Sequence, residues 1–186
     1  MSSDPQLHDR SAPYIETQHA VATLAAVLAA AATQAASGQW ATLGAVPDSE
    51  RLVGPIIDPE ALLLLTAWVV TREPSIGPVM HDWVAQWSDL LSVQRTRNLA
   101  KLFPSSIDAE LRAVAVTAFE RRKDFRWSPM IKGRNGTGAA DPDSPESMRR
   151  GALPAGAAHL PVKRDALLAL RFRMAFGVGA RADALA

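Results

Sequence analysis

Apolar residues recur along this chain at spacings of three and four, and the elements they predict are helices throughout. The first is Ala-rich. In AVATLAAVLAAAATQAA, from Ala20 to Ala36, the residues Val21, Leu24, Leu28, Ala31 and Ala35 form one narrow apolar stripe on a strong helix former. The pattern predicts a helix over 14–37, stopped at Gly38. Asp58 and Pro59 then open a second helix, since the carboxylate accepts orphan amide protons and proline sits where no donor is needed. Its body, ALLLLTAWVV, is apolar on every side, so Ala61 to Val70 belongs at the centre of a core. Pro74 ends it. In the next helix, over 77–91, Val79, Trp83, Val84, Trp87, Leu90 and Leu91 share one face, and His81 and Asp82 lie on the opposite, solvated one.

Ser92 reads as the N-cap of a short helix, VQRTRNLAKLF, closed by Pro104. At about 100° per residue, Gln94, Arg97, Asn98 and Lys101 share its outer face, Arg95 sits at the boundary, and Val93, Thr96, Leu99, Ala100 and Phe103 face inward. Ser105 or Ser106 caps a further helix with Ile107, Leu111, Val114 and Ala118 inward, ending in Arg121, Arg122 and Lys123, where cations suit the helix dipole. From Ser128 to Val162 the periodicity stops, and ten of 35 residues are Gly or Pro, which marks a linker or mobile loop. A last helix begins near Lys163 and breaks at Gly177 and Gly179. The expected fold is an all-α compact bundle of five to six helices with a long Gly/Pro-rich loop before the last one. The expected organisation is a flexible N-terminus (1–13), a helical domain (14–127), the linker (128–162) and a C-terminal helix (163–186).

Composition sharpens this picture in three places. With 186 residues and 48% of them apolar, the chain is long enough to bury a core without a metal or disulfide. Cysteine is absent, which removes disulfides, thiolate metal sites and Cys nucleophiles, and fits a reducing, cytoplasmic setting. The Ala-rich run is a poor membrane span, because Ala is close to neutral in bilayer transfer and Thr23, Thr33 and Gln34 interrupt it. Charge matters more than its total of +1. Up to Ser92 there are three basic and ten acidic residues; from Val93 on there are seventeen basic and nine acidic. The split implies a polyanionic partner for the second half, or that the two halves meet each other or an oppositely charged partner; solvated helix faces that differ in sign give the same pattern.

Two groups carry candidate nucleic-acid chemistry. The outer face of the short helix offers Gln94, Arg95, Arg97, Asn98 and Lys101, the inventory of a recognition helix, though an ordinary amphipathic surface helix looks the same. Arg121, Arg122, Lys123 and Arg126, with Lys132 beyond, could track a phosphate backbone, with Phe125 and Trp127 expected to fold back onto the core. The glycines of GRNGTG, 133–138, follow no strand and lack the lysine of a Walker loop. Enzyme signals are thin: His8, His19, His81 and His159 have no ligand spacing, no GxSxG elbow occurs, and Glu60, Glu73, Asp82 and Asp89 read as caps and surface charge. Neither a metal nor a cofactor is expected.

Three stretches, DPEALLLLT at 58–66, LSVQRTRNL at 91–99 and LLALRFRMAFGVGARADAL at 167–185, together resemble the N-terminal helical part of bacterial winged-helix regulators of the ArsR-like or MarR-like kind. That group includes proteins associated with nucleotidyltransferase toxin–antitoxin pairs. The resemblance implies a non-enzymatic, dimeric transcriptional regulator that binds DNA. It also implies that Ala180 to Ala186 is the opening of a winged-helix domain whose helix-turn-helix would lie beyond this sequence. The alternative expectation is a protein-interaction module, antitoxin-like or an assembly subunit, whose Ala-rich helix buries against a second copy or another helical polypeptide.

Overall fold

The computed structural model describes residues 12–45, 56–132, 160–161 and 165–179. Among them there is no strand, and the helices follow in the order α1 (Ala12–Thr42), α2 (Pro59–Val69), α3 (Gly77–Trp87), α4 (Val93–Ala100), α5 (Asp108–Arg122), α6 (Ser128–Ile131) and α7 (Leu168–Phe176). The protein is all-α, as the periodicity predicts. Most of the junctions are single 3₁₀ turns rather than loops.

The apolar helix α2 is the hub, and it packs against α1, α3, α4 and α5. Leu62, Leu63, Leu64, Ala67 and Val69 are all buried, while Ala61 is exposed and Leu65 and Trp68 on the same side are half-buried. Its start is built as expected: the Ala61 N–H donates to Asp58 Oδ1 at 3.1 Å, and Pro59 occupies the first turn. Around this hub α3 lies along α5, burying Met80, Trp83 and Val84 against Leu111, Val114, Ala115 and Ala118. Ser92 caps α4 by accepting from the Arg95 N–H at 3.3 Å. The segment from Asp165 to Phe176 closes the other side, with Ala166, Leu167 and Leu170 in the core and the Ile57 N–H donating to the Ala166 carbonyl at 2.9 Å.

Helix α1 departs from expectation in a way that matters later. It does not stop at Gly38 but continues to Thr42. Trp40 lies in the core, its Nε1–H donating to Thr66 Oγ1 at 2.9 Å and its ring tilted against Trp83 at 5.6 Å, so the last turns are held by α2 and α3. Gly38 is buried within the continuing helix, so the glycine does not terminate it. The stop comes at Gly44, with φ 79°. There the Ala45 N–H reaches back to the Trp40 carbonyl and the Gly44 N–H to that of Ala41, the pairing of a Schellman cap.

Three other boundaries shift. The start of α5 receives no side-chain cap from Ser105 or Ser106; a 3₁₀ turn, Ser105–Ile107, leads into it instead. The expected linker begins later than Ser128, because Ser128–Ile131 is helical and packs on α5. At its far end Leu160 is buried with the core. The rest of that linker from 133 to 159, the N-terminal eleven residues and Ala180 to Ala186 lie outside the described residues, and with them GRNGTG.

Candidate functional site

The chemistry that the fold gathers most tightly is a buried charge cluster. Glu60, one residue after the helix-opening proline, is completely buried, and Arg173 of α7 is only 3% exposed. Arg173 donates from Nη1 to Glu60 Oε1 at 2.7 Å and from Nη2 to Oε2 at 3.1 Å, a bidentate pair, and also to the Leu90 carbonyl at 3.1 Å. The Ser92 N–H donates to Glu60 Oε1 at 2.6 Å, and Arg95 Nε stands 3.7 Å from Oε2. Burial pushes the Glu60 carboxyl above its ordinary range while Arg173 and the Ser92 amide pull the other way. Just outside, Arg95 also pairs with Asp58. Burial raises the Asp58 pKa, but hydrogen bonds from Arg95 and the Ala61 amide, with the charge of Arg95, hold it below the usual value. Both oxygens of Glu60 are engaged by protein donors and neither meets water. Such a carboxylate joins α2, α4 and α7; it has no open position from which to act on a substrate.

This arrangement corrects the reading of Glu60 as a cap or surface charge. It also shows where part of the charge split goes. Arg95 and Arg173 from the basic half pair with Asp58 and Glu60 from the acidic half, and Arg122 donates to Asp89 at 3.0 Å. The two halves meet each other at these contacts.

The sequence-predicted nucleic-acid residues therefore divide. Arg95 and Arg122 are engaged across the two halves. Arg126 is held by Asp124, with Nη2 to Oδ2 at 2.7 Å and Nε to Oδ1 at 2.8 Å, and it donates to the Ser88 carbonyl at 3.1 Å. Those bonds to Arg126 keep Asp124 below its ordinary range although burial raises it, and they raise Arg126 in turn. Gln94, Arg97, Asn98 and Lys101 stand exposed together on the outer face of α4, where Gln94 Nε2 donates to Asn98 Oδ1 at 3.2 Å. Arg121 and Lys123 are exposed at the end of α5, Lys123 in a left-handed conformation at φ 55°. Trp127 is fully buried, as expected, whereas Phe125 is 69% exposed and only touches Phe119 edge-on at 5.4 Å.

His81 also differs from expectation. It is not solvated: α3 lies against α5, and His81 Nε2 is 2.7 Å from Glu110 Oε1 while Nδ1 is 2.9 Å from Thr117 Oγ1. The Thr117 hydroxyl also donates to the Ala113 carbonyl at 3.0 Å. This is a clamp between helices. No three His, Cys, Asp or Glu among the described residues are placed to hold a metal ion.

Two surface features remain. Between α4, α5 and α6 lies a groove of ≈ 430 Å³ whose rim includes Arg97, Lys101 and Arg112. The other is the outer half of α1. From Ala20 to Ala31 nearly every residue is exposed, and Val21, Leu24, Val27 and Leu28 are each 57–62% exposed. By length and composition alone, Ala20–Thr42 is a helix long and apolar enough to cross a membrane.

Sequence reasoning missed the Glu60–Arg173 pair, although a signal existed. Arg173 continues the step of three set by Leu167 and Leu170, which places a cation on an apolar stripe, and Glu60 opens a helix with no polar face. Comparison with protein-family models, curated proteins and solved structures finds no match for this chain, so its functional reading rests on its own geometry.

Proposed function

We propose that this chain is a non-enzymatic helical interaction module that pairs with a second copy of itself through the outer half of α1. One observation carries the reading: an uncharged helical segment, continuous with the core, projects four large apolar side chains into water. At 100° per residue Val21, Leu24, Val27 and Leu28 fall on one side of the helix, and Ala22, Ala26, Ala29 and Ala30 on the other. A second helix covers such a one-sided face. A bilayer suits it less well, because the turns around Trp40, at the end of the Ala20–Thr42 apolar stretch, are seated in the core. Complete burial of a Val or Leu contributes about 1.5–3 kcal/mol, so four residues some 60% exposed hold about 4–7 kcal/mol per chain. That is of the same order as the roughly 4–15 kcal/mol that association costs.

The test is sedimentation equilibrium on the full chain. The expected result is a concentration-dependent dimer that Leu24→Glu with Leu28→Glu converts to monomer, with an unfolding midpoint equal to the parent's at concentrations where the parent is monomeric, since neither side chain is buried in the domain. A chain monomeric up to ~1 mM, where association amounts to less than about 4 kcal/mol, refutes the pairing.

A second reading, nucleic-acid contact, is favoured by the joint exposure of Gln94, Arg97, Asn98 and Lys101 on α4. It predicts duplex binding whose log–log salt slope is about −0.9 per phosphate neutralised. Absence of binding at low salt removes it.

A further inference from the structure

Several described cations have a carboxylate partner and others have none, Arg72, Arg121, Lys123, Lys132 and Arg171 among the latter; a ligand site is to be found where partnerless cations converge. Arg95, Arg122, Arg126 and Arg173 each have a carboxylate partner. Arg97, Lys101 and Arg112 have none among the described residues. The side chain of Arg97 makes no hydrogen bond there, and Lys101 reaches only Asn98 Oδ1 at 3.4 Å. Arg112 is half-buried, and its Nε is out of water without an acceptor. Of the partnerless cations, Arg97 in α4, Lys101 just past its end and Arg112 in α5 line the same ≈ 430 Å³ groove. Asp108 supplies the one carboxylate among the described lining residues, which together carry a formal charge of +2.

We propose that this groove binds a small organic phosphate, a phosphate monoester with an apolar body. A concave site with low-dielectric walls focuses the field of its charges, and a guanidinium stripped of water on one side without a counter-ion gains most from an anion. A phosphate dianion matches the excess of two positive charges, and Arg97 and Arg112 offer the planar fork that phosphate oxygens fit. The apolar part is set by Leu111 and Met130, which also line the groove, Met130 being packed against the core. Gln94 and Asn98 add neutral polar groups at the rim. The volume falls within the roughly 300–1,000 Å³ of small-molecule sites.

The probe is phenyl phosphate, titrated calorimetrically into the full chain, with inorganic phosphate and phenol in parallel. Phenyl phosphate should bind saturably at one site per chain, inorganic phosphate at least tenfold more weakly, and phenol without detectable heat. Arg112→Lys keeps the charge but loses the fork, and should weaken phenyl phosphate at least tenfold. Lys101→Gln, at an exposed side chain outside the core, should weaken it severalfold, and Asp108→Asn should tighten it. Each variant is compared only after its unfolding midpoint matches the parent. The Leu24→Glu, Leu28→Glu chain should bind phenyl phosphate unchanged, which separates this site from α1 pairing. Absence of phenyl phosphate binding overturns the proposal, as does indifference to both Arg112→Lys and Lys101→Gln. Equal affinity for inorganic phosphate overturns the apolar subsite, and duplex DNA binding without phenyl phosphate binding assigns the face to nucleic acid instead.

Discussion

Replacing Arg173 by Met removes the guanidinium from a sealed site while keeping most of the side chain's volume. Glu60 then keeps the Ser92 N–H and the distant Arg95, but loses both bonds from Arg173 and has no water to replace them. Removing one partner of a buried pair typically costs about 3–5 kcal/mol. Because Arg95 remains at 3.7 Å, the lower end, about 3 kcal/mol, is expected here. The unpaired carboxyl can escape part of that penalty by taking a proton, since burial already pushes its pKa up and loss of Arg173 pushes it further. Each unit by which the pH falls below that raised pKa relieves about 1.4 kcal/mol until the unfolded chain protonates too. Urea unfolding of Arg173→Met should therefore show a larger loss at pH 8 than at pH 5, and Arg173→Met with Glu60→Leu should recover most of it at both. A loss below about 1 kcal/mol at pH 8, or a double variant no better than the single one, would mean that the pair is not the buried contact described.

Asp58 and Asp124 both have depressed pKa values in the fold, so the native state holds fewer protons than the unfolded chain, and the stability they contribute is lost as pH falls through those values, below the usual carboxylate range. Asp124→Asn should flatten that acid limb in an unfolding titration; an unchanged limb contradicts the assignment. Glu60, raised rather than lowered, acts with the opposite sign above that range. Lys123 adopts φ 55° at the end of α5, and Lys123→Gly should raise stability by about 1 kcal/mol, read as a higher urea midpoint. Thr66→Val leaves the buried Trp40 indole N–H without its acceptor and should cost about 1–3 kcal/mol in the same assay.

Most of the fold was legible because period and punctuation act locally. ALLLLTAWVV has no polar face, so its place in the core followed from ten residues, and Asp58–Pro59 and Ser92 marked helix starts through bonds no longer than four residues in reach. What could not be read was what depends on partners distant in sequence. Gly38 looks like a stop until Trp40 is known to need Thr66, 26 residues away. His81 looks solvated until α5 arrives with Glu110 and Thr117. Glu60 looks like a first-turn acid until Arg173, 113 residues on, is brought against it. The outer face of α4 was visible as a set of residues, but periodicity could not say that Arg95 turns to Asp58 while Arg97 and Lys101 border a groove with Arg112.

Helix α1 crosses from solvent into the core without a joint, and this ties orientation to sequence length. An α-helix advances about 1.5 Å and turns about 100° per residue, so one residue inserted among Ala29 to Ala32 would swing the Val21, Leu24 and Leu28 edge by more than a quarter turn while the anchored turns at Trp40 stay in place. Two domains gripped through that edge would be held at a fixed spacing and azimuth, as on a splined shaft. Four inserted residues, close to a whole revolution, would largely restore the alignment at a longer reach.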